Sequence, residues 1–320
     1  MASILTYVFL VLGLVLLVKG ADFFVDGSSS IAQKLKVPSL IIGLTIVAFG
    51  TSSPEAAVSI IAATNGQNSI ALGNVVGSNL FNLLAVIGIC AIIKPIQIEK
   101  SIIAKEYPFS MLATAALVVM SVDFYLNEGD TNLLSRSDGI LLLLFFGVFL
   151  YSVLSSALVS IKNAPAETVT PKYTMGKAVL FSLGGLAAII FGGDLVVDSA
   201  TAIALSFGIS ETLVGLTIVA VGTSLPELVT SIVAAKKGES DMAVGNVVGS
   251  NIFNILFVLA ASSAISPIGV NQENIMDLII LAAVTILVYI FCITNRKVSR
   301  AEGIIMTLLY AAYMVYIIMR

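Results

Sequence analysis

Histidine and tryptophan are both absent from the 320 residues. Without histidine there is no imidazole to hold a transition metal, no HExxH motif, and no nucleophile–histidine pair for hydrolysis. Without tryptophan, any aromatic belt at a membrane surface must use Tyr and Phe. Only two cysteines occur, Cys90 and Cys292, each inside an apolar run. They read as small buried hydrophobes, not as a disulfide or a metal pair. Charge is also scarce. Asp, Glu, Lys and Arg make up 11% of the chain, where soluble domains run near a quarter, and the net charge is only −3. No basic block offers itself to nucleic acid, no cofactor motif appears, and nothing calls for an obligate protein partner.

What fills the space is apolar: 58% of the residues are hydrophobic. A spanning helix needs roughly 20 predominantly apolar residues. That rule places ten helices at about 4–25, 38–63, 69–93, 106–126, 138–160, 175–197, 211–235, 242–265, 274–294 and 302–319. The first run lacks a basic leader and is long for a signal sequence, so it reads as the first span. The fold class expected is an all-α polytopic membrane protein embedded in the bilayer. With the N-terminus outside, fourteen of the sixteen basic residues fall on the odd-numbered loops or the helix ends beside them; only Arg136 and Arg320 fall on the other side. The positive-inside rule then puts both termini on the extracytoplasmic face of the cell membrane.

The chain also repeats itself. A shift of 172 residues lays Gly43–Asn82 on Gly215–Asn254 without a gap, with 26 of 40 positions identical. The same shift carries Asp22 onto Asp194 and Asp26 onto Asp198. Each half holds five helices, so the second half enters the membrane from the opposite face. The expected organisation is a first five-helix repeat over 1–162, a polar linker over 163–176, and a second repeat over 177–320. Inverted repeats with proline-interrupted helices are the pattern of secondary transporters, whose sites lie near the midplane. Packing alone would preserve small and apolar residues, not two carboxylates at matched depth.

Those carboxylates stand in "GTSSPE", Gly50–Glu55, and "GTSLPE", Gly222–Glu227. An ionisable residue inside a span costs about 2.5–3.5 kcal/mol on insertion scales and marks function by default. Pro54 cannot donate to the Gly50 carbonyl, which is expected to loosen the carbonyls around Ala48–Thr51. Thr51 and Ser52 share a helical face with Glu55; Ala220, Thr223, Ser224 and Glu227 are the second copy. The next helices read "GNVVGSNLFN" and "GNVVGSNIFN". Asn74, Ser78 and Asn82 line one face there, as do Asn246, Ser250 and Asn254. Ser78, Asn82, Ser250 and Asn254 are expected at the site, and Asn74, Asn79, Asn246 and Asn251 as interhelical hydrogen-bond glue. The four aspartates near helix ends read as solvated or capping residues, and Lys19 as a side chain reaching for the interface. Carboxylates, hydroxyls, amide oxygens and carbonyls suit a hard cation such as Ca²⁺ or Na⁺.

The doubled "GTS-x-PE" and "GSN-[LI]-FN" motifs resemble the paired alpha-repeats of the calcium/cation antiporter superfamily, most closely its prokaryotic sodium/calcium exchangers. The resemblance spans essentially the whole chain. It implies ion contacts from Glu55 and Glu227, the hydroxyls of Thr51, Ser52, Ser78, Thr223, Ser224 and Ser250, the carbonyls of Ala48 and Ala220, and the amides of Asn82 and Asn254. Some members, including potassium-dependent ones, carry Asp where Asn254 stands, which argues against potassium as a co-substrate. The "GTS…PE" form, in place of the "GN…E" of the cation/proton branch, favours sodium over proton coupling. The expected function is Na⁺/Ca²⁺ exchange, with no enzyme activity and no cofactor. Proton/calcium exchange is the main alternative, and a cation channel a weaker one.

Overall fold

The computed structural model describes residues 4–122, 131–163, 171–208 and 220–319. Its helices, in chain order, are α1 Ile4–Leu35, α2 Ser39–Thr51, α3 Ser53–Thr64, α4 Ile70–Ile93, α5 Ile102–Met120 and α6 Arg136–Lys162. They continue as α7 Met175–Ser206, α8 Leu225–Lys237, α9 Ser240–Ile265, α10 Gln272–Arg296 and α11 Arg300–Met319. Among the described residues eight helices are long and apolar enough to cross a membrane, and α2 with α3, bent by 49°, are together apolar enough for a ninth if they form one span. The chain is a multi-pass membrane protein. The expected seventh helix, 211–235, falls partly on 209–219, outside the described residues. From there only the turn Ala220–Gly222 and α8 are described. Residues 164–170 of the expected linker also lie outside.

Burial sorts the helices into a centre and a rim. α4 and α9 are enclosed on nearly all sides, whereas α1, α6 and α11 present Leu12, Leu144, Leu154 and Leu308 outward. A helix apolar all round but buried belongs at the centre, and one with exposed Leu faces hydrocarbon. Close backbone approach joins the centre to α2: a Cβ on Gly249 would sit 2.7 Å from the Leu44 carbonyl, and one on Gly245 2.7 Å from that of Leu40. Small residues at such crossings replace the hydrophobic drive that lipid removes.

Hydropathy understates two helices. α1 continues ten residues past the expected end and α7 nine. The apolar run stops at Lys19 and Asp22, but no helix breaker follows until Pro38, and Ser28, Ser30, Ile31 and Ala32 are buried. Two short antiparallel pairs join loops far apart in sequence. β1 (Ile96–Gln97) pairs with β4 (Lys297–Val298), and β2 (Leu133–Leu134) with β3 (Ile268–Gly269). Paired loops share a face of the membrane, so 96–97 lies with 297–298 and 133–134 with 268–269.

Candidate functional site

The break between α2 and α3 falls at Ser52, whose φ of −82° and ψ of 8° leave the helix. Ser224 takes nearly the same conformation, −94° and 6°, ahead of α8. Pro54 and Pro226 follow in the first turn, where a missing N–H costs nothing because the first N–H groups of a helix have no intrahelical partner. The sequence-based expectation needs one correction here. The Ala48 carbonyl is not released by Pro54; it accepts the Ser52 N–H at 3.0 Å and lies 3.4 Å from the Thr51 hydroxyl. Glu55 and Glu227 come next, each in the first turn of its helix. A carboxylate there faces the positive end of the helix dipole, which offsets part of its burial.

Both glutamates are fully buried. Each takes a hydroxyl from the other half of the chain. Ser52 Oγ donates to Glu227 Oε1 at 2.7 Å, and Ser224 Oγ donates to Glu55 Oε1 at 2.8 Å. Ser224 Oγ also lies 3.1 Å from Ser78 Oγ, and Ser250 Oγ reaches Glu227 Oε1 at 3.5 Å. Every ion pair among the described residues is made by Asp22 or Asp26, so no basic group neutralises either glutamate.

The asparagines divide into two roles. Asn74 Nδ2 donates to Ser59 Oγ at 2.9 Å and to the Glu55 carbonyl at 3.3 Å; Asn246 Nδ2 repeats this with Ser231 at 3.0 Å and the Glu227 carbonyl at 3.5 Å. Asn79 and Asn251 exchange bonds from Nδ2 to each other's backbone carbonyl at 3.3 Å. Asn82 Nδ2 then donates to Asn251 Oδ1 at 3.1 Å, and Asn254 Nδ2 to Asn79 Oδ1 at 3.2 Å. This crossed network fixes the amide planes and leaves Oδ1 of Asn82 and Asn254 without a partner. Both residues lie in π-helical stretches, Phe81–Val86 and Asn254–Leu259. Such a widened turn recurs at functional sites.

Four buried oxygens therefore stand unpaired: Glu55 Oε2, Glu227 Oε2, Asn82 Oδ1 and Asn254 Oδ1. They form two pairs, each related by the 172-residue shift. An acceptor buried without a donor costs about 1–3 kcal/mol, more when charged. These four acceptors, two of them ionisable, are matched by no protein donor among the described residues. Among the described residues no group of three or more Asp, Glu, His or Cys gathers as a metal cage. The set comprises two carboxylate and two amide oxygens with no soft ligand, a donor type that suits hard cations.

The other expected residues sort as follows. Ser52, Ser78, Ser224 and Ser250 lie at the carboxylates. The Thr51 hydroxyl turns to the Val47 carbonyl at 3.0 Å and Asn246 Oδ1 at 3.1 Å. Thr223 Oγ1 has no partner and lines a cleft of about 460 Å³ with Pro54, Ala57, Pro226, Asp194 and Asp198. Ala220 lies in the short helical turn before Thr223. Sequence reasoning passed over Ser59 and Ser231, although both copies hold a serine four residues after the glutamate.

The repeat-related aspartates differ sharply. Asp194 and Asp198 line the open cleft, while Asp22 and Asp26, both partly exposed, are clasped by lysines. Lys237 Nζ lies 2.8 Å from Asp26 Oδ1 and 3.4 Å from Asp22 Oδ1, and donates to the Asp22 carbonyl at 2.8 Å. Lys172 Nζ sits 2.6 Å from Asp26 Oδ2, and that hydrogen bond holds its ammonium above the ordinary lysine range. Ser29 Oγ donates to Glu239 beside them at 2.5 Å.

The chain is similar to known proteins over nearly its whole length. The family model described as sodium/calcium exchanger protein matches residues 5–155 and 177–319. The sodium/calcium exchanger MaX1 of Methanosarcina acetivorans is 32% identical, over 97% of each chain. The inner membrane protein YrbG of Escherichia coli is 36% identical, over 93% of this chain and 92% of its own. A solved structure of the sodium-calcium exchanger NCX_Mj, soaked with Na⁺ and Ca²⁺, superposes with a TM-score of 0.82 at 33% identity, covering 98% of this chain and 99% of that one. With the family model covering both halves and full-length relatives above 30% identity, the chain belongs to the sodium/calcium exchanger family.

Proposed function

We propose that this protein is a secondary active antiporter that exchanges Na⁺ for Ca²⁺ at one site built on Glu55 and Glu227. The observation that carries the reading is the set of four unpaired buried oxygens, Glu55 Oε2, Glu227 Oε2, Asn82 Oδ1 and Asn254 Oδ1. The hydroxyls of Ser52, Ser78, Ser224 and Ser250 complete an oxygen shell of the size Ca²⁺ takes, about 6–8 ligands. Thr51, Thr223 and the carbonyls of Ala48 and Ala220 border it. Ca²⁺ and Na⁺ are the cargo, and no further cofactor has a role.

The organisation that supports exchange is ten spans in two inverted five-helix repeats, 1–162 and 177–320, joined by 163–176. The repeat-related hydrogen bonds, in which each half's serine serves the other half's glutamate, are what such a pseudo-two-fold arrangement entails. Loop pairing favours the same topology: 96–97 with 297–298 joins two odd-numbered loops, and 133–134 with 268–269 two even-numbered ones. With the basic residues on the odd side, both termini are extracytoplasmic. The lysine clasp on Asp22 and Asp26 then closes the cytoplasmic mouth, and the cleft beside Asp194 and Asp198 is the extracytoplasmic entrance.

Ion competition follows from charge. One Ca²⁺ neutralises two carboxylates, and so do two Na⁺. Ions that need the same oxygens are alternative passengers, and the two inverted gates let the loaded site open to either face.

The test is radiolabelled Ca²⁺ uptake into Na⁺-loaded proteoliposomes in potassium-free buffer. Uptake driven by an outward Na⁺ gradient is expected. Concentrative uptake driven by a pH gradient without Na⁺ would make the protein a proton/calcium exchanger, and flux without any counter-ion would make it a channel.

A further inference from the structure

A third buried glutamate has no part in the exchange site. Glu106, in the second turn of α5, is only 6% exposed and has no hydrogen-bond or ion-pair partner among the described residues. It lines a cleft of about 500 Å³ between the start of α2, the start of α5 and the last turns of α6. The hydroxyl of Ser101, also in the lining, is buried and unpartnered. Ser152, Ser155 and Ser156 of α6 supply further hydroxyls at helical spacing, and Glu99 and Lys105 stand at the mouth. The outer rim is lipid-facing hydrocarbon: Val148, Tyr151 and Val159 are 57%, 74% and 59% exposed.

We infer that this cleft binds an aminophospholipid, one whose headgroup carries a primary ammonium beside a phosphodiester. The charges are arranged for a zwitterion. Glu106 and Glu99 meet the ammonium, while Lys105 and the serine hydroxyls meet the phosphate. A carboxylate one turn inside a span, with the exposed Lys105 as its nearby cation and Glu99 as a second acid, is costly unless a further cation reaches it. A bare metal ion does not fit the volume, which lies in the range of organic ligand sites, about 300–1,000 Å³. A quaternary ammonium does not fit the chemistry. It donates no hydrogen bond and is recognised by aromatic cages, whereas the interior here offers carboxylate and hydroxyl acceptors and the only aromatic ring is Tyr151 at the rim. The exposed Val148, Tyr151 and Val159 give the acyl chains a path, and α2, which leads to Ser52 and Glu55, forms one wall.

Native mass spectrometry of the full-length protein tests this, with delipidated samples titrated with phosphatidylethanolamine, phosphatidylcholine, phosphatidylglycerol or chain-free phosphoethanolamine. Phosphatidylethanolamine is expected to bind about tenfold more tightly than phosphatidylcholine, the value of one charge-assisted hydrogen bond. Glu106→Gln is expected to remove that preference, and Lys105→Ala to weaken both lipids alike. Chain-free phosphoethanolamine competing as well as the lipid would overturn the lipid assignment. Equal binding of the two lipids to the wild type overturns the proposal without any variant, as does an unchanged preference in folded Glu106→Gln. Ca²⁺ exchange measured on the same samples reports separately on the ion site.

Discussion

Lys237 offers the most direct test of how the carrier keeps one mouth shut. Its ammonium contacts both Asp26 and Asp22, as well as the Asp22 carbonyl, and so ties the end of α8 to the second half of α1. The side chains of Lys237 and Asp26 are 28% and 19% exposed, so water and salt screen the pairs in part. Partly exposed ion pairs contribute about 0.2–1 kcal/mol each, and a hydrogen bond to a carbonyl adds about 0.5–1.5 kcal/mol. After discounting for screening, roughly 1.5 kcal/mol is lost in Lys237→Ala, which corresponds to a shift of about tenfold in the balance between the two facing states. The 172-residue shift carries Lys237 onto Asn65, so Asp194 and Asp198 have no lysine at the matching position. Cysteines placed at Ala57, in the open cleft, and at its repeat partner Val229 read the two states through impermeant thiol labelling from either side. The native Cys90 and Cys292 are buried and stay silent. The ratio of the two labelling rates is expected to move about tenfold towards cytoplasmic access in Lys237→Ala. Added salt should move the wild type the same way but leave the variant nearly unchanged. A ratio that holds within twofold in a folded variant refutes the clasp as a gate.

Glu55→Gln and Glu227→Gln are each expected to lower Ca²⁺ transport at least about a hundredfold while leaving a folded protein, since each removes half of the formal charge that balances Ca²⁺ and little volume. Robust exchange by either purified variant in proteoliposomes removes the two-carboxylate site. Acidification is expected to inhibit Ca²⁺ flux, because a protonated carboxyl is a poor ligand for a hard cation, and raising Ca²⁺ should relieve the inhibition. Flux at limiting Ca²⁺ that does not change across a pH series excludes both glutamates as titrating ligands of a shared site.

The doubled motif makes much of the site legible in the amino-acid sequence alone. Matched glutamates, serines and asparagines reveal themselves because the second copy acts as a control: Glu55 and Glu227 are retained where packing needs only an apolar residue. The division between Asn82 and Asn79 can also be read, from helical facing alone. Other features depend on contacts between the halves and leave no periodic trace. The exchange of serines between the two glutamates requires α2–α3 and α8 to meet head to head, and nothing local encodes that. Ser59 and Ser231 look like ordinary small helix residues until Asn74 and Asn246 are seen to donate to them. Asp22 and Asp194 look equivalent as a sequence pair. Their difference lies in lysines far along the chain, Lys172 and Lys237, the second of which has an uncharged repeat partner. Hydropathy also misjudges the lengths of α1 and α7, because a helix outlasts its apolar run when its polar end packs against protein.

The proposed site bears on why exchange excludes leak. An empty site carries a formal charge of −2 with no basic neighbour among the described residues, and the two helix N-termini offset only about half a charge each. The empty site thus remains negative, and moving it through a closed, water-free intermediate is unfavourable. Hydroxyls from Ser52 and Ser224 each satisfy one oxygen of a glutamate, but the second oxygen of each stays unpaired. Binding of one Ca²⁺ or two Na⁺ removes both problems at once, by neutralising the charge and pairing the oxygens. A third Na⁺ would leave a formal charge of +1, and Asn254, unlike an aspartate, has no charge to offset it. In the proposed site, among the described residues, the two glutamates are then the charges that a passenger ion must match.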